Sequence, residues 1–456
     1  MAREKKEAAL TPEERLQAAL VPDWEWPYKL PGNWCWTTVG AINQYVGISA
    51  DPTKAKNKTF ELYSVPSSAD NYPEIVLGAD IGSTKQSVKK GDVLLCKINP
   101  RINRVWKVSK YTDHSLLASS EWIVIRNSGL ISNYLMWCFR SPYFRGYMLS
   151  NVSGVGGSLM RAQPKFVQGY PVPVPPLPEQ QRIVDRIESL FAKLDEAKEK
   201  AQAVVDSFET RKAAILHKAF TGELTAKWRE EHGVGMESWE KKRLSDVVTE
   251  FKYGTSEKSD YNNKGIPVLR ISNIGDNGID LSDIKYLNHR NVDSESQIRE
   301  GDILIIRSNG SRDLVGKAVL VPELGCEYAY ASFLIRAKPN HSIINAHYLT
   351  IFLNSTDARG QMFRRAKSSA GINNINTKEL GAISLTVPSL PEQDEIVHII
   401  NEMMDKDQQA KEAAEAVLNQ IDLMKKSILA RAFRGELGTN DPSEENAVEL
   451  LKRTIL

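Results

Sequence analysis

The chain has 456 residues, with 59 Lys and Arg against 57 Asp and Glu, which is long enough for two or three domains with cores of their own. It has no run of about 18 apolar residues and no apolar segment near the first residue, so the sequence predicts neither a membrane span nor a secretory signal, and we expect a cytoplasmic location. Cys35, Cys96, Cys138 and Cys326 lack the close spacing of a zinc site or a disulfide framework, and we interpret them as reduced thiols. A net charge of +2 does not indicate a polyanionic partner, so an argument for nucleic-acid binding has to rest on local charge.

An N-terminal extension, residues 1–29, carries one helix-forming segment, TPEERLQAAL (11–20). Thr11 is a favourable cap, Pro12 suits the first turn, and the two glutamates that follow lie near the positive end of the helix dipole. We therefore predict a short helix here.

The first long block, residues 30–175, has the pattern of a mixed α/β domain. Runs such as DVLLCKI (92–98) and EWIVIR (121–126) have the length and apolar character of buried strands. A helical pattern follows around residues 131–149.

The stretch from Lys85 to Lys110 within this block is strongly basic, with eight Lys and Arg residues against the single acidic residue Asp92. Lys and Arg neutralise phosphates, and Arg and Asn can make paired hydrogen bonds to base edges, so this composition suits DNA. The candidate DNA-binding residues in the stretch are Lys85, Lys89, Lys97, Asn99, Arg101 and Arg104. A basic strand face that is merely solvated would have the same composition, and the stretch alone does not decide between the two.

A proline-rich strap, VPVPPLP (172–178), leads from the first block into a predicted helix over residues 176–224. Pro178 suits the first turn of this helix and Gly222 its end. Apolar residues follow alternating steps of four and three, as in the seam of a coiled coil, interrupted only by Arg211. The seam consists of Ile183, Ile187, Leu190, Leu194, Ala197, Ala201, Val204, Phe208 and Ile215.

The second long block, residues 225–387, repeats the mixed α/β pattern, with strand-like runs PVLRIS (267–272) and DILIIR (302–307) and a helical pattern around 345–363. It contains a second basic cluster around RSNGSRDLVGK (307–317). Basic residues at two equivalent positions weaken an accidental explanation. The candidate DNA-binding residues of this block are Arg270, Arg307, Asn309, Arg312 and Lys317.

A further basic group lies just before the Asn-rich segment GINNIN (371–376). We interpret it either as a source of additional phosphate contacts or as a solvated helix face. Its members are Arg359, Arg364, Arg365 and Lys367.

A second long helix is predicted over residues 388–437, and its seam is that of the first helix shifted by 213 residues, with Asp407 as the break. A tail, residues 438–456, follows, and SEENAVELLKRTIL (443–456) within it has a helical pattern. The second seam consists of Ile396, Ile400, Met403, Asp407, Ala410, Ala414, Val417, Ile421, Met424 and Ile428.

The two halves of the chain are an internal repeat. LPEQ occurs at 177–180 and at 390–393, and the constant offset of 213 that follows indicates two helices that must stay in phase. The blocks before them match with varying offsets, for example KKGDVLLCK (89–97) with REGDILIIR (299–307), which predicts a shared fold with loops of different length. Two separate core-filling helices would give similar stripes, but equal length and phase favour mutual packing into a rod of roughly 60 Å.

Catalytic signatures are missing from the sequence. It has no phosphate-binding loop, no HExxH, no GxSxG and no Asn/Asp-Pro-Pro-aromatic tetrapeptide of the kind that adenine methyltransferases carry. The seven histidines show no metal spacing, and we interpret GVGG (154–157) as a flexible loop. We therefore predict that this chain is not an enzyme.

The two blocks, each followed by a long helix that opens with LPEQ and closes with ILxxAFxGEL, resemble the DNA-specificity subunit of type I restriction–modification systems over roughly residues 30–437. The segment 267–287 also looks like the opening of a known class of target recognition domain. The resemblance implies an α/β fold class: two mixed α/β target recognition domains joined by two long helices packed as an antiparallel coiled coil, with an internal pseudo-two-fold repeat.

The resemblance also implies a function. Each target recognition domain would read one half of a bipartite, asymmetric double-stranded DNA target, and the helices would fix the spacing and dock two methyltransferase (modification) subunits together with restriction/translocase subunits. SAM, ATP and Mg would belong to those partners, and this chain would hold no cofactor and no metal. The helix at 11–20 would either contact a methyltransferase or lie unattached on the surface. The spacer and docking residues would be Ile183, Ile187, Leu190, Phe208, Ile396, Ile400, Val417 and Ile421.

Two other functions stay open from the residues themselves. One is a coiled-coil interaction scaffold that never reads DNA, and the other is an enzyme with its own nuclease or methyltransferase centre. A stiff rod with a DNA-binding domain at each end favours the DNA-specificity subunit over both alternatives. Two such domains meet one face of B-DNA only at a fixed separation, about one helical turn or roughly 34 Å.

Overall fold

The computed structural model describes residues 11–154, 160–262, 265–276, 278–288, 297–369 and 372–455, without the side chains of 367–369 and 372. The chain forms two compact units. Unit 1 combines the described residues up to Ala201 with those from Ala416 onward, and unit 2 is Gln202–Glu415. Within the described ranges, no helix is long and apolar enough to cross a bilayer. The domain bounds drawn from the sequence stay a prediction.

Unit 1 contains two larger sheets. The strands β7, β6 and β9 form an antiparallel sheet with β6 in the middle, and a mixed sheet has the order β2-β5-β8-β3-β4 with β3 and β8 parallel. Two further pairs, β1 with β12 and β10 with β11, are antiparallel. The strands are β1 (Cys35–Thr38), β2 (Ser49–Ala50), β3 (Thr59–Tyr63), β4 (Glu74–Leu77), β5 (Lys85–Ser87), β6 (Val93–Cys96), β7 (Val105–Lys107), β8 (Ser115–Ala118), β9 (Trp122–Ile125), β10 (Val152–Ser153), β11 (Arg161–Ala162) and β12 (Pro171–Val174).

Unit 2 has the corresponding sheets. An antiparallel sheet has the order β14-β21-β17-β19, and smaller sheets have the orders β16-β15-β20, β18-β23-β22 and β13-β24. The strands are β13 (Glu240–Arg243), β14 (Val248–Tyr253), β15 (Pro267–Leu269), β16 (Lys285–Tyr286), β17 (Ile303–Ile306), β18 (Ser308–Asn309), β19 (Ala318–Leu320), β20 (Ala329–Tyr330), β21 (Leu334–Pro339), β22 (Lys367–Ser369), β23 (Ile372–Asn374) and β24 (Ser384–Val387). The strands predicted from the four apolar runs are present as β6, β9, β15 and β17.

The helices repeat in the same order in the two halves of the chain. They are α1 (Pro12–Ala19), α2 (Val39–Ile42), α3 (Ser132–Arg140), α4 (Pro142–Ser150), α5 (Pro164–Val167), α6 (Leu177–Asp206), α7 (Phe208–Phe220), α8 (Ala226–His232), α9 (Leu244–Val247), α10 (Ala346–Leu353), α11 (Thr356–Arg365), α12 (Thr377–Gly381), α13 (Leu390–Ala432) and α14 (Ala447–Ile455).

The helical patterns around 131–149 and 345–363 each form two helices instead of one. Ser141 caps α4 by accepting a hydrogen bond from the Phe144 amide, and Ser355 caps α11 by accepting one from the Ala358 amide. A cap and a new first turn interrupt a helix even where the apolar pattern continues.

The same turn precedes the buried strands β6 and β17. Gly91 and Gly301 have φ values of 92° and 85°, in the left-handed region that favours glycine. The aspartates that follow, Asp92 and Asp302, each accept a hydrogen bond from a main-chain N–H three residues earlier, at 2.8 and 2.9 Å. The Gly-Asp turn is therefore a structural element of both units.

The predicted helix over 176–224 is interrupted at Ser207, which separates α6 from α7. After the break, Arg211 donates from Nε to Asp407 Oδ1 at 2.5 Å and from Nη1 to the Val204 carbonyl at 3.2 Å. The two residues that interrupt the predicted seams are thus partners within unit 2. Each supplies the other with a polar partner in an otherwise apolar stripe.

Every second seam position of α13 lies one residue later than predicted. Val417 is 40% exposed and was wrongly assigned to the seam; Met403, Ala410 and Met424 are exposed in the same way. The better-covered positions are Met404, Lys411, Leu418 and Lys425.

Lysines at two of these positions explain the shift. The Lys411 ammonium lies 4.5 Å from the ring centre of Phe208, and that of Lys425 lies 5.0 Å from the ring centre of Phe191. Long lysine stems cover apolar surface while their charged ends stay near water, so a charged residue can occupy a seam.

The long helices pack antiparallel within each unit. In unit 1, Lys425 pairs with Asp195 and Asp422 with Lys198, so residue numbers fall along one helix as they rise along the other. In unit 2, the α7 residues 208 and 211 face the α13 residues 411 and 407 in the same sense. The predicted fold class, two mixed α/β domains with two long antiparallel helices, is confirmed.

Most of the predicted spacer residues lie inside this packing. Because they are buried, they hold the helices together and cannot themselves form a surface for another protein. They are Ile183, Ile187, Phe208, Ile396, Ile400 and Ile421, with Leu190 half-buried.

The repeated glutamate of LPEQ anchors the segment that follows the other long helix. In unit 2, Glu392 accepts hydrogen bonds from Thr225 Oγ1 and Arg229 Nη1, both at 2.7 Å, and from Trp239 Nε1 at 3.0 Å. In unit 1, Glu179 accepts from Thr439 Oγ1 at 2.7 Å and pairs with Arg182. Both glutamates are 0% exposed, so each depends on these partners for solvation.

The repeated glutamine of LPEQ joins the long helix to the domain before it. Gln180 Oε1 accepts from the Ile131 amide at 3.0 Å, and Gln393 Oε1 accepts from the Asn345 amide at 2.7 Å, just before α3 and α10. Their Nε2 groups donate to the carbonyls of Pro175 and Pro388. The motif is therefore a junction of strap, domain and helix.

Both ends of the described chain belong to unit 1. Ala447, Leu450 and Leu451 of α14 are buried in its core, and Leu16 and Leu20 at α1 pack against the same core. The helix predicted at 11–20 is therefore attached to unit 1 and does not lie free on the surface.

Replacement of Glu392 by alanine should strongly destabilise the protein. The change leaves Arg229 buried without its carboxylate, and a broken buried pair costs about 3–5 kcal/mol. Calorimetric unfolding of the full-length protein measures the effect, and Glu402→Gln on the exposed side of the same helix is the control, with an expected change within about 0.5 kcal/mol. Equal stability of both variants would contradict the anchoring role.

Replacement of Leu451 by alanine should cost about 2–5 kcal/mol of stability, because the side chain is 0% exposed in the core of unit 1. The matched control is Leu423→Ala, at a leucine of the same unit that is 63% exposed. Urea titration followed by circular dichroism compares the two, and a silent Leu451→Ala would show that the tail contributes little to unit 1.

Candidate nucleic-acid interface

The two basic clusters include the connections that follow the buried strands β6 and β17. Loop L1, residues 97–104, joins β6 to β7, and loop L2, residues 307–317, joins β17 to β19. Both loops begin with a basic residue and have an asparagine two residues later, Asn99 in L1 and Asn309 in L2. Beyond this start the loops differ in sequence and L2 is longer.

Each loop pairs with a strand pair that follows a helix: α4 in unit 1 and α11 in unit 2. In L1, Ile98 bridges to Arg161 of β11, and the Asn99 amide donates to the Met160 carbonyl at 2.8 Å. In L2, Ser308 and Asn309 pair with β23. The first residues of each loop are therefore hydrogen-bonded to a second chain segment.

L1 turns tightly at its tip. Asn99 and Asn103 have φ values of 45° and 54°, a left-handed conformation that asparagine adopts more readily than most residues. The turn between them exposes Arg101 and Ile102.

L2 is supported by aromatic rings. The Arg307 guanidinium lies 4.4 Å from the ring centre of Tyr253, and its Nε donates to Asn374 Oδ1 at 3.4 Å. Arg312 and Arg359 both lie over Phe363, at 5.2 and 4.9 Å. Cation–π contacts of this kind orient a guanidinium without neutralising its charge.

Three of the predicted DNA-binding residues have carboxylate partners. Lys97 lies 4.0 Å from Glu121, Arg270 lies 2.8 Å from Asp283, and Lys317 lies 2.7 Å from Asp276. The pKa values of Asp276 and Asp283 are lowered mainly by hydrogen bonds from Lys317 and Arg270. Each of these basic residues has a nearby carboxylate that offsets part of its charge and ties it to a neighbouring loop.

Other predicted residues keep an uncompensated charge. Within the described ranges, Arg101, Arg104, Arg307 and Arg312 have no carboxylate within 4.0 Å, and all four lie in L1 or L2. Asn309 uses its side-chain oxygen to accept from the Ser311 amide at 2.8 Å. Each of the two loops therefore carries two arginines whose charge no described carboxylate offsets.

Lys85 and Lys89 lie outside L1. Lys85, on β5, donates from Nζ to Ser83 Oγ at 2.5 Å and borders a cleft of ≈ 440 Å³ that Glu74 and Ile98 also line. Lys89 is exposed ahead of the Gly-Asp turn.

The members of the basic group before GINNIN have different surroundings. Arg359 lies over Phe363 on α11, Arg364 is exposed, and Arg365 donates to the Gln361 carbonyl at 3.1 Å. The Lys367 side chain, residue 371 of GINNIN and residues 155–157 of GVGG lie outside the described residues.

Sequence reasoning missed several residues of this surface. The contacts of Arg307 with Tyr253 and of Arg312 with Phe363 gave no signal, because each ring comes from a distant segment, whereas Arg359 and Phe363 lie four residues apart on α11. Arg145 could have been found, since the offset of 214 that aligns α3 with α10 also aligns it with Arg359. In the part of the chain that the structure describes, no group of three or more His, Cys, Asp or Glu is placed to hold a metal ion.

Comparison with known proteins gives a consistent result. A family model described as the type I restriction modification DNA specificity domain matches residues 48–205 and 236–420. The specificity subunit of the EcoKI type I restriction enzyme of Escherichia coli K12 is 29% identical over 69% of this chain and 68% of its own length. The StySPI specificity subunit of Salmonella potsdam is 26% identical over 67% of this chain and 65% of its own. The chain thus matches about two thirds of the length of these relatives.

Solved structures share the fold. The HsdS subunit from Thermoanaerobacter tengcongensis has a TM-score of 0.63 at 22% identity, covering 91% of this chain and 100% of its own. A chain from a type I R-M system, described for complex assembly and conformational transition, has a TM-score of 0.71 at 22% identity and covers 90% and 100%. With three quarters of the chain inside the matched family regions, this protein belongs to the type I restriction–modification DNA specificity family.

Proposed function

We propose that this chain is the sequence-reading subunit of a type I restriction–modification complex, in which L1 of unit 1 and L2 of unit 2 each read one half of a bipartite double-stranded DNA target. The observation that carries the proposal is the position of the uncompensated arginines. Two of them lie in L1 and two in L2, at equivalent places in the two repeats, whereas Arg270, which lies outside both loops, is paired with Asp283.

The chemistry of these loops suits DNA. A guanidinium without a carboxylate partner can neutralise a phosphate or bind the acceptor edge of guanine in two places. Because L1 and L2 differ in sequence and length, the two half-sites would differ, and the target would be asymmetric.

Catalysis would belong to partners. Two methyltransferase subunits would supply SAM chemistry, restriction/translocase subunits would supply the chemistry of ATP and Mg, and this chain would be non-catalytic and work in the cytoplasm. The exposed apolar side chains on the unit 1 part of α13, Val417, Leu423 and Met424, support that helix as the docking surface for a methyltransferase.

Expression of this chain with its methyltransferase partner in a host that lacks the system should create one new methylated motif with two separated halves. Single-molecule sequencing of host DNA reads modified bases directly, and the partner expressed alone is the control. A motif that was already present without this chain, or no new motif with it, would refute the proposal.

Replacement of Arg101 or Arg312 by alanine should weaken DNA binding by the assembled complex by about 1–3 kcal/mol. Loss of a phosphate contact would also lower the salt dependence of log Kd by about one unit, whereas loss of a base contact would affect one position of the motif. Fluorescence anisotropy with a labelled duplex at several salt concentrations measures both. Lys227→Ala, at an exposed lysine of α8, is the control; equal affinity of all three variants would point to a scaffold that does not read DNA.

A further inference from the structure

One hydrogen bond recurs in both units, between an arginine on α4 or α11 and the main chain of the loop beside it. In unit 1, Arg145 of α4 donates from Nη2 to the Arg101 carbonyl at 2.5 Å. In unit 2, Arg359 of α11 donates from Nη2 to the carbonyl of Asp313. L1 and L2 are thus each held at the main chain by an arginine at the same place in the repeat.

A second contact recurs at the far end of each loop. Arg140, the last residue of α3, donates from Nη2 to the Val105 carbonyl at 2.8 Å. Asn354, which follows α10, donates from Nδ2 to the Ala318 carbonyl at 2.8 Å and accepts from the Ala318 amide at 3.1 Å. Val105 and Ala318 are the first residues after L1 and L2, so each loop is fixed at its end as well as within it.

These contacts fix the path of a loop without fixing its sequence. A main-chain carbonyl is present whatever the side chain, so the residues of L1 and L2 can differ while the arginine keeps its acceptor. Arg145 Nε and Arg359 Nη1 are buried without a hydrogen-bond partner among the described residues. Among the described residues, the hydrogen bond that each of these guanidinium groups makes is the one to its loop carbonyl.

We infer that Arg145 and Arg359 are positioning residues for target recognition, each acting on one half of the target only. The inference rests on the proposed function. The guanidinium holds the loop main chain, and the loop side chains then meet the bases at a fixed distance and angle. Without it, the loop samples several positions and discriminates less between bases.

The test uses the full chain together with its methyltransferase partner and sequencing of methylated host DNA. Arg145→Ala should raise methylation of near-cognate sites by about tenfold relative to the cognate motif, with the degenerate positions confined to one half. Arg359→Ala should produce the same change in the other half. Arg453→Ala, at an exposed arginine of α14, is the control and should leave both halves unchanged.

The outcomes separate this inference from the function on which it rests. Absence of a bipartite motif with the unchanged chain refutes the proposed function. If that motif is present, an unaltered motif in the alanine variants, degeneracy in both halves, or uniform loss of methylation at every site overturns the positioning role. If an alanine variant does not accumulate as folded protein, Arg145→Lys and Arg359→Lys decide: a lysine keeps one donor and should give a smaller relaxation in the same single half, whereas a motif unchanged or relaxed in both halves overturns the inference.

Discussion

The structure depends on a buried carboxylate at the start of each long helix. Glu392 and Glu179 are removed from water and solvated instead by hydroxyl, guanidinium and indole donors from the segment that follows the other long helix. A buried carboxylate is stable only with such donors, so the beginning of one long helix and the end of the other must lie together in each unit. The neighbouring glutamines bind main-chain groups at the entry to α3 and α10. Four side chains of a short repeated motif therefore connect strap, domain and both helices.

Polar residues also shape the helix pairing. The Arg211–Asp407 pair places two charges in an apolar stripe of unit 2, and Lys411 and Lys425 cover aromatic rings of the facing helix with their stems. Pairing of this kind favours one alignment of the helices, because a shift by one turn would leave a charge without its partner. The apolar residues that an ideal heptad would bury, such as Val417, are exposed as a result.

The two loops combine a repeated scaffold with side chains that differ between the repeats. The buried strands β6 and β17, the Gly-Asp turns before them and the arginines on α4 and α11 recur in both repeats, whereas L1 and L2 differ in length and sequence. The repeated arginines contact the main chain of the loops. The parts that differ between the repeats are the side chains that the loops expose. Under the proposed function, this division would allow one half of the target to change without loss of the fold that presents it.

The sequence by itself determined the repeat, the four buried strands and the two long helices, because apolar periodicity and a constant offset are properties of the chain alone. The repeated LPEQ and ILxxAFxGEL motifs indicated the family by resemblance. It also placed most of the basic residues of the two loops. Only the tertiary structure decided which of them keep a free charge: Arg270 and Lys317 have carboxylate partners, while Arg101 and Arg312 do not. It likewise decided that α13 partly covers Lys411 and Lys425 and exposes Ala410 and Met424, and that the tail completes the core of unit 1. Periodicity reports which face of an element is apolar. The partners that neutralise Arg270 and Lys317 lie tens of residues away, and the rings that set the seam lie more than two hundred residues away, so no local pattern records them.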